Sequence, residues 1–329
     1  MVNNNYSCKI GAGAFFCALE IVAFHAPGSW ANTTFAADWL YRLVAPLTQA
    51  ALAFFFAVAG YFVWSKILDG RTYLQVVGKR FRTLIVPFVL WNLIFFSCVW
   101  LMYVCLANMG RADEFISLMP GGAERWRSLD AISFIRNCPN PVLWFLRTLF
   151  VLILISPLLM WGVGRIKLLF VMLLGGGCLA IETLHVSLPL ATLVQPRAVF
   201  YFTLGLWWHR QDSQYPFRKC MSICLLVVGY ALSFCSPSGH LLLMLGYVGV
   251  LPAWPNGRQL QSYAFPLYMI HYPMIWLFLF LNALCGWVTT GTVLWVLLTG
   301  VFALMMSLSV IVVMRRLCPR VCSVLFGGR

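Results

Sequence analysis

A chain of 329 residues that is 62% hydrophobic and 10% charged, with a mean hydropathy of +0.86, has too little polar surface to enclose a water-soluble globule. Its solvent is lipid. The formal charge of +14 does not indicate nucleic acid, because the basic residues sit in short clusters between apolar runs, the pattern by which Lys and Arg set membrane topology.

Ten apolar runs near bilayer length follow one another, which predicts an all-α, polytopic membrane helix bundle. In order they are Ile10 to Ala26, Pro46 to Trp64, Thr83 to Ala107, Pro141 to Trp161, Leu168 to Ile181, Ala198 to Trp208, Cys220 to Cys235, Leu241 to Trp254, Tyr263 to Cys285 and Val288 to Val313. The first is read as a permanent helix and not a cleaved leader, since Glu20 is foreign to the apolar stretch of a signal peptide. The sixth and eighth runs are short for a core of roughly 30 Å at about 1.5 Å of rise per residue.

Charge keeps the short runs in the count. With the N-terminus inside, most of the 23 basic residues fall on inner segments, among them Lys66, Arg71, Lys79, Arg80 and Arg82, and later Arg315, Arg316, Arg320 and Arg329. Dropping one short run sends the C-terminal arginines outside, and dropping both strands Arg210, Arg218 and Lys219 there. About ten transmembrane helices with both termini cytoplasmic give the strongest positive-inside bias.

The chain reads as a single transmembrane domain over residues 1–329. Its longest loop, Asn108 to Asn140, has about thirty residues, too few for an independent domain. With its mixed charge and Trp126, that loop is either a solvated connector or a lid over an outward-facing acceptor site. No internal repeat is visible, so a transporter built of two related halves gains no support. Most of the twelve cysteines fall in apolar runs, where a thiol acts as a small hydrophobe. Cys318 and Cys322 lack the second Cys or His pair of a metal site, so no metal is expected.

Chemistry has to come from polar residues placed where lipid makes them costly. His25 closes the first run on the outer side, just before Ala26, Pro27 and Gly28. An imidazole that titrates near neutral pH can take a proton from a sugar hydroxyl; an interfacial anchor is the other reading of the same residue. Glu20 lies mid-span and Arg147 lies in the fourth run, and they are candidates to neutralise each other. At 100° per residue Glu20 and His25 are separated by about 140° around the helix, which argues against a direct relay. In the ninth run Tyr268 and His271, three residues apart, share a face, and Pro266 and Pro273 predict freed carbonyls beside a lined cavity. Lys79, Arg80 and Arg82 either bind the phosphates of a cytoplasmic donor such as coenzyme A or serve as a plain topology signal.

His25 closing a first helix, Phe54-Phe-Phe-Ala-Val-Ala-Gly60-Tyr61 in the second, Lys79-Arg-Phe-Arg82 with Pro87 at the third, Trp144-Phe-Leu-Arg147 with Pro157 in the fourth, and Tyr268-Met-Ile-His271 in the ninth resemble, in order and spacing, the acyltransferase-3 family. The resemblance runs over nearly the whole chain. It implies an acyltransferase of the bacterial inner membrane that moves an acyl group, usually acetyl, from cytoplasmic acyl-CoA to a hydroxyl of an envelope glycan or glycolipid. It also implies roles. His25 is the base, with Tyr268, His271 or Arg147 orienting the acceptor or stabilising an oxyanion. Lys79, Arg80 and Arg82 hold coenzyme A, and Trp144 either stacks on a sugar ring or is an interfacial anchor; Glu20 and Arg147 are either substrate-binding residues or structural charges. Three positions depart from the family pattern: Ala14 replaces a basic residue eleven positions before His25, Ala59 replaces a serine, and Ala264 replaces a polar residue. These departures leave two further functions open, a catalytically silent family member and a lipid-linked-glycan transporter.

Overall fold

The structure, a computed structural model, describes residues 4–26, 35–68, 70–111, 138–184, 186, 193–210, 219–236, 238–250, 254–289 and 292–328. Among these residues it is helical, with no strand. The helices are α1 (Asn4–His25), α2 (Phe35–Leu68), α3 (Tyr73–Arg80), α4 (Val86–Asn108), α5 (Trp144–Ile166), α6 (Leu168–Thr183), α7 (Pro196–Arg210), α8 (Lys219–Ser233), α9 (Ser238–Val250), α10 (Gly257–Cys285), α11 (Val293–Leu317) and α12 (Pro319–Leu325). Each of the ten apolar runs falls largely within one of them. Six stretches are long and apolar enough to cross a membrane: Cys8–His25, Asp38–Ile67, Tyr73–Asn108, Pro141–Ile166, Gly257–Cys285 and Val293–Leu317. The possible lid lies outside the described residues over 112–137.

Several boundaries differ from the expected ones, two of them at prolines. The second helix begins at Phe35, with Pro46 inside it; a proline removes one backbone hydrogen bond, and a helix of 34 residues survives the loss. The fourth begins with a 3-10 turn, Pro141–Leu143, capped by the Asn140 side chain, before α5 starts at Trp144.

The chain divides into two compact units of discontinuous segments. The first comprises Met1–Cys17, Pro46–Ile85 and Phe145–Gln261, and the second comprises Ala18–Ala45, Val86–Trp144 and Ser262–Arg329.

Small residues set the helix crossings of the first unit. A Cβ at Gly60 would run into the Phe202 carbonyl, and one at Gly205 into the Ala57 carbonyl, so α2 and α7 touch backbone to backbone. In lipid, where apolar side chains gain nothing by leaving the solvent, such close approach is a main source of helix association. The α8–α9 hairpin uses the same device: Gly229 abuts Leu243, and Gly246 abuts Leu226 and Ser222.

Freed carbonyls are taken up by side chains. Pro157 cannot donate to the Ile153 carbonyl, and Ser156 Oγ donates to it instead at 2.8 Å. In the second unit Pro266 frees the Ser262 carbonyl, which accepts from Arg315 at 2.7 Å while the guanidinium lies 4.3 Å over the Tyr263 ring. Basic side chains also meet helix C-terminal carbonyls, where orphan acceptors and the helix dipole favour a cation. Lys9 Nζ reaches Gly249 at the end of α9, at 3.3 Å, and Arg210 reaches Val163 near the end of α5, at 2.7 Å. In the second unit Arg111 reaches Leu284 at the end of α10, at 3.2 Å.

Gly60→Val should lower the unfolding free energy of the purified protein in detergent by about 1–3 kcal/mol, the usual cost of overpacking. Gly176→Ala, where a new Cβ meets nothing within 4 Å, should raise it by up to about 1 kcal/mol through helix propensity. Denaturation midpoints of the two variants check the contrast.

Candidate active site

Five of the expected site residues lie in the second unit: Glu20, His25, Trp144, Tyr268 and His271. His25 is the last residue of α1, and Ala26 closes the turn onto the Val22 carbonyl at 3.0 Å. Pro27 follows, and the residue before a proline is driven out of helical conformation. The His25 ring is half-buried. It stands 5.5 Å from the His271 ring and 5.6 Å, edge to face, from Tyr272. Tyr272 is backed by Phe95 at 5.5 Å and Trp276 at 6.5 Å, which gives the pair an aromatic floor drawn from α4 and α10.

His271 is completely buried. Its Nδ1 lies 2.8 Å from the Tyr268 carbonyl and 3.2 Å from the Leu267 carbonyl. A carbonyl offers no proton, so Nδ1 must carry the hydrogen and donate it. In the neutral ring the lone pair is then on Nε2. That nitrogen is buried and makes no hydrogen bond. The α10 backbone has selected the tautomer and left one open acceptor beside His25.

Tyr268 sits three residues earlier on the same face, buried, and its hydroxyl donates to the carbonyl of Val142. That bond ties α10 to the 3-10 turn. The other polar group of Val142 is tied as well: its N–H donates to Asn140 Oδ1 at 3.3 Å. The Asn140 N–H in turn donates to Asn92 Oδ1 at 3.0 Å, and Asn92 Nδ2 donates to the Phe88 carbonyl at 2.8 Å. One line of hydrogen bonds therefore runs from α4, through the turn, to Tyr268 and His271. Asn92 and Asn140 are both 0% exposed. Neither was singled out from sequence, although an asparagine inside an apolar run is a signal of this kind.

Glu20 is half-buried, five residues before His25 on α1, and Trp144 is half-buried at the start of α5. Arg147 is buried but belongs to the first unit, as do Lys79, Arg80 and Arg82. The basic trio has its own local cause. Thr72 and Gln75 form a capping box that starts α3, and the helix ends on Lys79 and Arg80 before a π turn over Phe81–Ile85. Pro87 lies two residues past that turn, and a regular α-helix there would leave the Thr83 carbonyl without its donor. Lys79 and Arg82 are exposed and Arg80 is half-buried. Of the departures, Ala14 and Ala264 are buried and bring no polar group to their helices. Lys9 does not stand free to replace a cation at Ala14, because its ammonium is on the Gly249 carbonyl.

Apolar helices of spanning length that bury a directed polar chain ending at a histidine pair define an integral membrane protein with polar groups held among its helices. The family model described as an acyltransferase domain matches residues 15–314, and the chain belongs to the acyltransferase-3 family. It is 24% identical over 326 residues to the succinoglycan biosynthesis protein ExoH of Rhizobium meliloti (strain 1021), an alignment covering 90% of this chain and 81% of that protein. No solved structure matches the chain.

Tyr268→Phe removes the hydroxyl that reaches Val142. Intramembrane hydrogen bonds average about 0.6 kcal/mol with a maximum near 1.7, so the variant should lose about 1 kcal/mol of stability while remaining folded. Detergent unfolding of the two proteins checks this.

Proposed function

We propose that the protein is a membrane O-acyltransferase that moves an acyl group, most simply acetyl, from cytoplasmic acyl-CoA to a hydroxyl of a cell-envelope glycan or glycolipid. Family membership supports acyl transfer. The glycan acceptor is supported by the relative named for succinoglycan biosynthesis. The observation that carries the reading is His25 beside a buried His271 whose Nδ1 is committed to the Tyr268 carbonyl.

In this reading His25 takes the proton of the attacking hydroxyl. His271 Nε2 accepts the hydrogen bond that the protonated His25 then offers, which orients the base and stabilises its cation. Lys79, Arg80 and Arg82 bind the coenzyme A phosphates, with guanidinium forks suited to phosphate oxygens. Trp144, Glu20 and Arg147 contact the acceptor. The reading takes ten crossings with both termini in the cytoplasm of a bacterial inner membrane. No metal takes part.

A silent family member is the second reading, favoured by the apolar Ala14 where the family pattern carries a cation. The two readings separate on the wild-type protein. Mass spectrometry of surface glycans from cells with and without the gene should show an acyl group that depends on the gene. His25→Ala should lower its transfer by about 10²–10⁴-fold, the range of general-base catalysis. Acylation unchanged by either manipulation would defeat the enzymatic reading.

Replacing Arg80 and Arg82 together by Gln should raise the KM for the donor by roughly tenfold or more, equivalent to about 1.4 kcal/mol of lost binding, with kcat nearly unchanged. Initial rates against acyl-CoA concentration check this.

A further inference from the structure

Acyl transfer develops negative charge on the carbonyl oxygen under attack, and the active site must present a hydrogen-bond donor to it. Two polar groups of the candidate site, Tyr268 and His271, have no proton to offer. The Tyr268 hydroxyl donates to Val142, and His271 has its one proton on Nδ1, directed at backbone.

Asn140 is different. Its Oδ1 accepts from the Val142 N–H, which fixes which end of the side-chain amide is oxygen and which is nitrogen. Its Nδ2 is therefore a donor of settled identity, and it is buried without a hydrogen-bond partner. The residue is 0% exposed, and its backbone N–H is held by Asn92, so the amide cannot easily turn away. Asn140 and Tyr268 engage the N–H and the carbonyl of the same residue, Val142, which attaches this donor to the turn that also steadies His271. Trp295 Nε1 and Ser307 Oγ, also in the second unit, are buried without partners too, but both lie on α11 and neither joins this line of hydrogen bonds.

We propose that Asn140 is a catalytic residue whose Nδ2–H donates to the acyl carbonyl oxygen and holds the oxyanion of the tetrahedral intermediate. The inference rests on the acyltransferase reading above. The acceptor oxygen forms a bond to the thioester carbon as its proton passes to His25, and the carbonyl π pair moves to oxygen, where Asn140 meets it. Collapse restores the carbonyl, breaks the carbon–sulfur bond and expels the thiolate, which recovers the proton from His25 and leaves as coenzyme A thiol.

The test is steady-state kinetics of the purified protein in lipid nanodiscs, with acetyl-CoA as donor and extracted envelope glycan as acceptor. Asn140→Ser keeps an oxygen able to cap Val142 and keeps the backbone link to Asn92, but removes the amide. Asn140→Asp keeps the shape and places an oxygen where the nitrogen was. Both should lower kcat by about 10²–10³-fold, the usual loss for one oxyanion donor, with the KM for acetyl-CoA changed less than about threefold and the denaturation midpoint close to that of wild type. Trp295→Phe, which removes another unpartnered buried donor, should keep kcat within about threefold. The proposal is overturned if either Asn140 variant folds and retains kcat within threefold, or if the loss of rate follows the loss of folded protein. A wild-type protein that transfers no acyl group would sink the parent reading instead. An active wild type with an indifferent Asn140 sinks this inference alone.

Discussion

Val142 is held on both sides, its N–H by the Asn140 side chain and its carbonyl by the Tyr268 hydroxyl, and the geometry of the candidate site descends from that clamp. In a bilayer no water is available to satisfy a misplaced amide or hydroxyl, so each polar group must find its partner in the protein. Asn92 on α4 anchors the turn, the turn positions Tyr268, and the backbone at Tyr268 sets the tautomer of His271. Each bond is weak by itself, roughly 0.6 kcal/mol on average in membrane helices. Their effect is directional: one fixes which end of an amide is oxygen, and another fixes which nitrogen of an imidazole carries the proton.

The same constraint gives the basic residues a second task. Counted along the chain, they read as a topology signal; in the fold, several are also ties between elements. Lys9, Arg111 and Arg210 each meet a carbonyl near the end of a helix other than their own, and Arg315 meets the one freed by Pro266. A cation at a helix C-terminus interacts favourably with the dipole and satisfies an acceptor that the helix itself cannot. Charge asymmetry and packing are thus served by the same side chains, which is why a count of arginines per loop does not by itself identify a ligand site.

Much of this was legible in the sequence. The ten apolar runs announce helices, six stretches of which are long and apolar enough to cross a membrane, and the prolines of α10 announce freed carbonyls. His25, Tyr268 and His271 stand out because polar side chains are rare in such runs, and the fold brings His25 to His271. Other features escaped because they depend on contacts far apart in the chain. The helix through Pro46 depends on flanking residues outweighing one lost hydrogen bond. The bond from the Tyr268 hydroxyl to Val142, 126 residues away, is invisible in its own helix. Asn92 and Asn140 look ordinary until the first is found holding the second. Gly60 was noticed as part of a motif, but its reason, an α2–α7 crossing too close for a Cβ, needs the coordinates of Phe202.

An unpartnered polar atom is not by itself a mark of function, and this protein shows why the distinction matters. The fold satisfies several such groups by local means: Thr203 and Thr299 bond back to carbonyls one turn earlier, and Ser156 covers the acceptor that Pro157 frees. A hydroxyl can rotate to find a partner and is cheap to satisfy. The Asn140 amide and the His271 ring cannot adjust in this way, since each has its other end bound to backbone. Leaving a buried donor or acceptor open costs about 1–3 kcal/mol, and here the fold accepts that cost twice along one line of hydrogen bonds while fixing the identity of both atoms. One open group can only donate and the other, in its neutral form, can only accept. A donor and an acceptor of fixed identity are thus held open along one line of hydrogen bonds.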